Sequence, residues 1–288
     1  MSWKEVLLKI QERSRTNIPF SGDEYVNEAD NGLLYCKKCH TRRQTSVWFE
    51  EDGERFELRP PVQCKCMQEE QAAAEREQNE RRRADEIAHM KSRSGIPALY
   101  RDATFDGFVQ RPDNAAVYRM AVRYAEKFAE MKKLGKGLLM HGGVGTGKTF
   151  TAVCIANKVL DMGYSVFMTS TYEMLKLRDS DDEAAYDDRI TRCSLLIIDD
   201  IGAERTTDYG REKVFGYIDG RCSTGLPMIF TTNIDFQIML KPETKQESRI
   251  YDRILKRCFP VAFEGTSWRR NEARDNFAEM KAILNGDD

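Results

Sequence analysis

Apolar positions follow several different rhythms along this chain, and the changes of rhythm divide it. Near the start Trp3, Val6, Leu7 and Ile10 fall at helical spacing. They predict a short amphipathic helix over 1–15, either packed on its own domain or docked on a partner. Residues 33–66 carry few apolar side chains, with a strand-like stretch at Trp48-Phe49 and a break at Pro60-Pro61. Residues 67–93 are rich in helix formers and nearly devoid of apolar residues, which predicts a solvated helical linker. Gly95-Ile96-Pro97 ends that run and opens a new domain.

From there short apolar runs and longer amphipathic stretches alternate. A helix is predicted over 113–134, with Val117, Met120, Tyr124, Phe128 and Met131 on one face. Buried strands are predicted at 137–141, 165–169, 195–198 and 228–231. Helices are predicted from the glycine loop through Leu160 and over 171–190, 209–222, 246–258 and 268–284. Strands alternating with helices imply an α/β fold with a three-layer parallel sheet. The expected organisation is an N-terminal domain over 1–66, a charged helical linker over 67–93, and the α/β domain over 94–288.

Composition refines this picture. The chain has 288 residues, enough for one full α/β domain and a small accessory region, and its hydrophobic fraction of 41% supports a core. Charged residues make up 32%, in keeping with a solvated helical stretch. The net charge of -2 is no argument for nucleic acid, so any such contact has to come from a local surface. Neither a signal peptide nor a run of about 18 apolar residues is visible, so a cytoplasmic protein without membrane contact is expected. Thiols stay reduced there. Cys154, Cys193, Cys222 and Cys258 are scattered among apolar neighbours and read as buried cysteines, whereas Cys36, Cys39, Cys64 and Cys66 cluster.

The chemistry concentrates at the ends of the strands. Gly142-Gly143-Val144-Gly145-Thr146-Gly147-Lys148-Thr149 matches the P-loop pattern completely, with a strand before it and a helix after it, and Phe150 beside it is expected to belong to the nucleotide-binding set. Glycines let the backbone approach phosphates with its N–H groups inward, and the helix presents its positive end to the anion. Lys148 would reach the β- and γ-phosphates of ATP, and Thr149 would offer its hydroxyl to Mg²⁺. Leu195-Leu196-Ile197-Ile198 delivers Asp199 and Asp200 to the same edge of the sheet. Asp199 would hold Mg²⁺, mainly through water, and Asp200 would polarise the attacking water. Met228–Thr231 leads to Asn233, which could hold that water or the γ-phosphate; Thr-Thr-Asn could equally just open a turn.

The order of P-loop, Leu-Leu-Ile-Ile-Asp-Asp-Ile-Gly-Ala-Glu, Phe-Thr-Thr-Asn and Glu247-Ser248-Arg249-Ile250-Tyr251-Asp252-Arg253 resembles the AAA+ helicase loaders of the DnaC/DnaI type. Gly95-Ile96-Pro97 with Ala103-Thr104-Phe105 resembles the lead-in segment of that family, and the likeness covers about residues 94–270. It implies that Asn233 is the sensor-1 residue and that Arg249 is an arginine finger acting on ATP held by a neighbouring subunit in an oligomer. Arg253 would be the second arginine of that box and contact nucleotide. Arg269, or its neighbour Arg270, would be the sensor-2 arginine. Many AAA+ enzymes carry Glu where this chain has Asp200, one methylene shorter, so slow hydrolysis and use as a switch are expected. The resemblance also implies that Thr206-Thr207-Asp208-Tyr209 meets single-stranded DNA. Thr207 would bond a phosphate, and Tyr209 would either stack on a base or start the next helix and pack there. The acids within 171–190 argue against a basic DNA track in that segment, despite Lys176 and Arg178.

Cys36-Lys37-Lys38-Cys39 and Cys64-Lys65-Cys66 supply four thiolates, a set that suits tetrahedral Zn²⁺. His40 could replace Cys64 or Cys66. Cys36–His40 also spells the c-type haem attachment signal, which needs export and so conflicts with the absence of a leader. Several DnaI-like loaders carry such an N-terminal zinc-binding domain that contacts the helicase. The expected function is therefore ATP-dependent loading of a replicative hexameric helicase onto single-stranded DNA. The alternatives are an IstB-like transposition helper and a non-catalytic adaptor in which ATP only stabilises the fold.

Overall fold

The computed structural model describes residues 9, 20, 22–51, 53–176, 181–202 and 208–285. The helix expected over 1–15, apart from Lys9, and Thr207 with Arg178 lie outside the described residues. The chain divides into two compact units, Met1–Arg83 and Ala84–Asp288.

The first unit is built on two antiparallel hairpins. Strand β1 (Glu24–Asn27) pairs with β2 (Leu33–Cys36), and β3 (Val47–Glu51) pairs with β4 (Glu54–Leu58). The β1–β2 connection closes through Asn31 (φ 52°) and Gly32 (φ 68°), both in the left-handed region that Asn-Gly pairs adopt readily. Among the described residues here the buried apolar side chains are Leu33, Cys36 and Cys64. Arg43 is as buried as any of them, with 2% exposure. Its guanidinium pairs with Glu24 at 3.2 Å and donates to the Val62 carbonyl at 3.1 Å, so its charge is met inside the unit.

The helix Lys65–Ser92 contains the boundary between the two units along the chain and buries none of its residues. It starts two residues earlier than its composition suggests, which places Cys66 on its first turn. Its far end is tied to the second unit by Met90 packing on the core and by Lys91 pairing with Asp161 at 2.8 Å.

The second unit is a five-stranded parallel sheet with helices on both faces. Its strands are β5 (Gly137–Gly142), β6 (Val166–Ser170), β7 (Leu195–Asp199), β8 (Met228–Thr232) and β9 (Cys258–Phe263). They lie in the order β6-β7-β8-β5-β9. Alternate residues of the strands feed two apolar layers: Leu138 and Met140 face one, Leu139 the other. The helix Lys148–Asp161, opened by the P-loop, buries ten of its fourteen residues and forms the middle of the first layer. The helices Asp208–Thr224 and Lys245–Arg257 cover the opposite face. There the fully buried Arg221 donates to the carbonyls of Ile190, Thr191, Cys193, Ser194 and Pro227, joining the entries of β7 and β8.

Three features differ from the sequence expectation. The helix expected over 113–134 is two, Ala115–Glu126 and Phe128–Leu134, broken at Lys127 (φ -92°, ψ 17°), which lets Phe128 turn fully into the core. The helical stretch expected over 171–190 falls, among the described residues, in the helices Thr171–Lys176 and Asp181–Arg192, the second ending two residues later than expected. A fifth strand, β9, continues from the end of the helix over 245–257; Pro260 within it hides the strand pattern, and an edge position tolerates that proline.

Candidate nucleotide site and cysteine centre

The strand order builds the site. The P-loop strand β5 and the acidic strand β7 are not neighbours, because β8 lies between them. Whatever stands at the end of β8 is therefore flanked by Lys148 on one side and Asp200 on the other. Asn233 stands there and bonds both: Lys148 Nζ donates to Asn233 Oδ1 at 2.8 Å, and Asn233 Nδ2 donates to Asp200 Oδ1 at 2.7 Å. Lys148 also donates to the loop carbonyls of Gly142 at 2.9 Å and Gly143 at 2.7 Å. Its three donors are thus held within the loop and the sensor side chain.

Thr149 Oγ1 donates to Asp199 Oδ1 at 2.9 Å, so the hydroxyl and carboxylate expected to serve Mg²⁺ converge. Oxygen donors on one carboxylate and one hydroxyl suit a hard cation that keeps several of its waters. The sequence reading missed Thr231. This buried hydroxyl donates to Asp199 Oδ1 at 2.6 Å and accepts the Asp200 backbone N–H at 2.8 Å, fixing both acids from the neighbouring strand. The available signal was a hydroxyl inside an otherwise apolar strand, which needs a partner when buried. Asp200 itself sits at φ 57°, in the left-handed region that few side chains adopt, and its carboxylate is turned to Asn233.

Burial pulls Lys148 below its ordinary value, against the attraction of Asp200 and Asp199. Burial, with the Asp199 charge beside it, pushes Asp200 above the usual carboxylate range, against Lys148 and Arg269. Both groups are held at a cost in their charged forms, which is the condition of a site shaped for an added anion and metal.

The loop itself is tightly seated. A Cβ at Gly142 (φ 141°) would lie 2.2 Å from the Phe263 carbonyl, and one at Gly145 (φ 79°) would lie 2.1 Å from Ser267 Oγ. Thr146 ties the loop across itself by donating to the Gly143 carbonyl at 2.9 Å, Gly147 opens the helix, and Val144 is exposed at the tip. Phe150 packs in an aromatic group with Tyr100 and Phe108. Arg269 acts electrostatically on both Lys148 and Asp200.

Arg249 and Arg253 engage the helix Asp208–Thr224 instead of the loop of their own chain. Exposed Arg249 lies over the Phe215 ring at 4.0 Å, and Arg253 pairs with Asp219 at 2.6 Å. Tyr209 begins that helix and is 65% exposed.

In the first unit the sulfurs of Cys36, Cys39, Cys64 and Cys66 all lie within 4.8 Å of one another. Cys66 Sγ is 3.6 Å from Cys36, 3.2 Å from Cys64 and 3.6 Å from Cys39. A tetrahedron with metal–sulfur bonds of about 2.3 Å has edges of about 3.8 Å, so the four donors fit Zn²⁺. Thr41 beside Cys39 lowers its thiol to about 5, while the Cys64 thiol pushes Cys66 up to about 12. His40 stands outside the cluster, at φ 52° and edge-on to Tyr25.

The family model for IstB-like ATP binding proteins matches residues 71–276. The chain belongs to this family. The chain is 27% identical over 175 residues to the replicative helicase loader DnaI of Bacillus subtilis (strain 168). That match covers 56% of each protein, so the chain spans about half the length of this relative. It is 28% identical over 200 residues to the putative ATP-binding protein Rv3427c in insertion sequence of Mycobacterium tuberculosis, covering 65% of this chain and 78% of that one. The crystal structure of the DnaC helicase loader superposes with a TM-score of 0.51 at 20% identity, over 58% of this chain and 100% of that chain. The second unit therefore has the AAA+ fold of the DnaC/DnaI type of loader, as the motif order implies. No described helix is long and apolar enough to cross a membrane.

Proposed function

We propose that this chain is an ATP-driven switch that binds a replicative hexameric helicase and delivers it onto single-stranded DNA. The observation that carries the loader reading is the separate unit ahead of the ATP-binding domain, with four cysteine sulfurs gathered for one Zn²⁺. A transposition helper needs only the ATP-binding domain and a DNA-binding surface; a zinc-folded extra unit suits a dedicated contact with a protein partner. The name of the Bacillus subtilis relative supports the same reading.

In this reading the residues divide the work. The loop 142–149 cradles the phosphates, and Lys148 leaves its carbonyls and Asn233 to meet them. Thr149 and Asp199 would hold Mg²⁺, which would supply charge neutralisation at the phosphates. Asp200 accepts the proton of the attacking water, and Asn233, still bonded to Asp200, orients that water. Released from Lys148, Asn233 is free to report the γ-phosphate. Arg269 meets the γ-phosphate in its own subunit, and exposed Arg249 reaches the ATP of the next subunit in the assembly. The short Asp200 side chain keeps turnover slow until subunits assemble. Tyr209 offers a ring to a base of the strand.

The test is a loading assay with the full chain, a hexameric helicase and a circular single strand. Wild type places helicase on the circle in an ATP-dependent way, and Lys148→Ala does not. Loading unaffected by Lys148→Ala returns the chain to the adaptor class. Capture of a transposase in place of helicase returns it to the insertion-sequence helpers.

A further inference from the structure

Beyond β9 the chain turns back over the P-loop. The backbone N–H of Trp268 donates to the Gly145 carbonyl at 2.9 Å, and Ser267 fills the space above Gly145. The indole is in turn covered by Arg111, whose guanidinium carbon stands 3.5 Å from the ring centroid. The Arg111 backbone is fixed: its N–H donates to Asn114 Oδ1 at 2.7 Å, and Asn114 Nδ2 donates to the Val109 carbonyl at 3.0 Å. Among the described residues the guanidinium has no carboxylate or carbonyl partner, so the indole face is its contact. The next residue after the indole is Arg269, whose charge is felt by Lys148 and Asp200.

A contiguous mechanical link therefore runs from the turn over 109–114 through Arg111 to Trp268. There it splits, one branch to the Gly145 carbonyl and the other along the chain to Arg269. We infer that Arg111 is a positioning residue for the γ-phosphate end of the nucleotide site: its stack on Trp268 clamps the start of the helix Trp268–Asn285 against the P-loop, aims Arg269, and so sets the preference for ATP over ADP. This rests on the ATP-site reading above. A planar cation is suited to the task, because it holds an aromatic face without taking a hydrogen-bond partner away from the loop. Its removal leaves the loop–Trp268 hydrogen bond in place and loosens the direction of the residue that follows. ADP lacks the phosphate that Arg269 would meet, so its binding depends little on that direction.

The experiment is equilibrium titration of the full chain with fluorescent ATP and ADP analogues in magnesium buffer, for wild type, Arg111→Ala and Arg111→Lys, beside thermal melts. Arg111→Ala weakens ATP by about fivefold, the worth of one cation–π contact, and leaves ADP within about twofold. Arg111→Lys restores most of the ATP affinity, since a cation still covers the ring. If Arg111→Ala melts early, Arg111→Gln at a temperature where it is folded is expected to show the same change in ratio. An ATP-to-ADP affinity ratio unchanged in the alanine and glutamine variants overturns the clamp while leaving the ATP site intact. Uptake of neither nucleotide by wild type overturns the ATP-site reading and the clamp with it.

Discussion

The cysteine unit and the sheet unit solve the same problem of burial with different materials. The sheet stacks two apolar layers on its faces, and its strands Leu195–Asp199 and Met228–Thr232 are buried almost from end to end. The cysteine unit has Leu33 as its buried aliphatic side chain among the described residues and fills the rest of its interior with Cys36, Cys64, Gln44 and the Arg43–Glu24 pair. One unit is stabilised by area removed from water and the other needs a point of attachment. The difference teaches where dependence on a ligand should fall: the sheet unit is expected to fold without nucleotide, and the cysteine unit is expected to need a metal held by its four thiols.

The largest expected effect breaks the comparison on the cysteine side. If the four thiols hold Zn²⁺ as proposed, chelation or Cys64→Ser is expected to remove a centre worth about 10–16 kcal/mol of apparent binding energy. Hydrogen exchange followed by mass spectrometry is expected to show residues 22–64 losing protection, with residues 94–285 and ATP affinity unchanged. Protection lost equally in both units contradicts the division.

On the nucleotide side, Arg249→Ala is expected to leave ATP affinity of the isolated chain unchanged, since that side chain lies on Phe215 and away from its own loop. In the assembled complex it is expected to slow hydrolysis by about 10³-fold or more. A slowed single subunit would place the arginine in the wrong site. A smaller effect is expected of Thr231→Val, which keeps the shape of the strand but leaves Asp199 and the Asp200 N–H without their shared hydroxyl. The cost is about 1–3 kcal/mol, read as a weaker magnesium dependence of ATP binding and a lower melting temperature.

The finest test is of pH. Burial and Asp199 raise the Asp200 carboxyl above its ordinary 3.8, so the folded chain holds that proton more tightly than the unfolded chain. The favourable contribution is present below 3.8 and is lost as pH rises through the folded value; at neutral pH the ionised carboxylate is a cost. Asp200→Asn is therefore expected to melt higher than wild type at pH 7 while losing hydrolysis. The acid limb of the wild-type rate is expected above the ordinary carboxylate range, with activity falling as pH falls. A variant that melts lower at pH 7 contradicts the sign.

The sheet unit was the more readable of the two in sequence for the same reason that it is self-sufficient. Apolar runs such as Leu195–Ile198 announce buried strands, and the residues that follow them announce the site. The exit of β9 was not readable, because Cys-Phe-Pro-Val-Ala-Phe carries a proline and alternates buried with exposed positions as an edge strand does. With it went the contact of Ser267 and Trp268 with the loop, which depends on three-dimensional neighbours and leaves no spacing to read. The hairpins of the cysteine unit had a local signal in Asn31-Gly32 and Asp52-Gly53, masked by strands such as Glu-Arg-Phe-Glu-Leu whose polar and charged residues dilute the alternation. The four cysteines were readable as a set, and their convergence within 4.8 Å is what the fold adds.

The division of labour between the two units is tested most directly by measuring, as intact mass, the complexes formed between the full chain and a hexameric replicative helicase, with and without ATP and magnesium. The account predicts that wild type and Lys148→Ala are both captured by the helicase, that Cys64→Ser is not, and that nucleotide changes the stoichiometry for wild type alone. Capture of Cys64→Ser as fully as wild type, or loss of capture in Lys148→Ala, would contradict it.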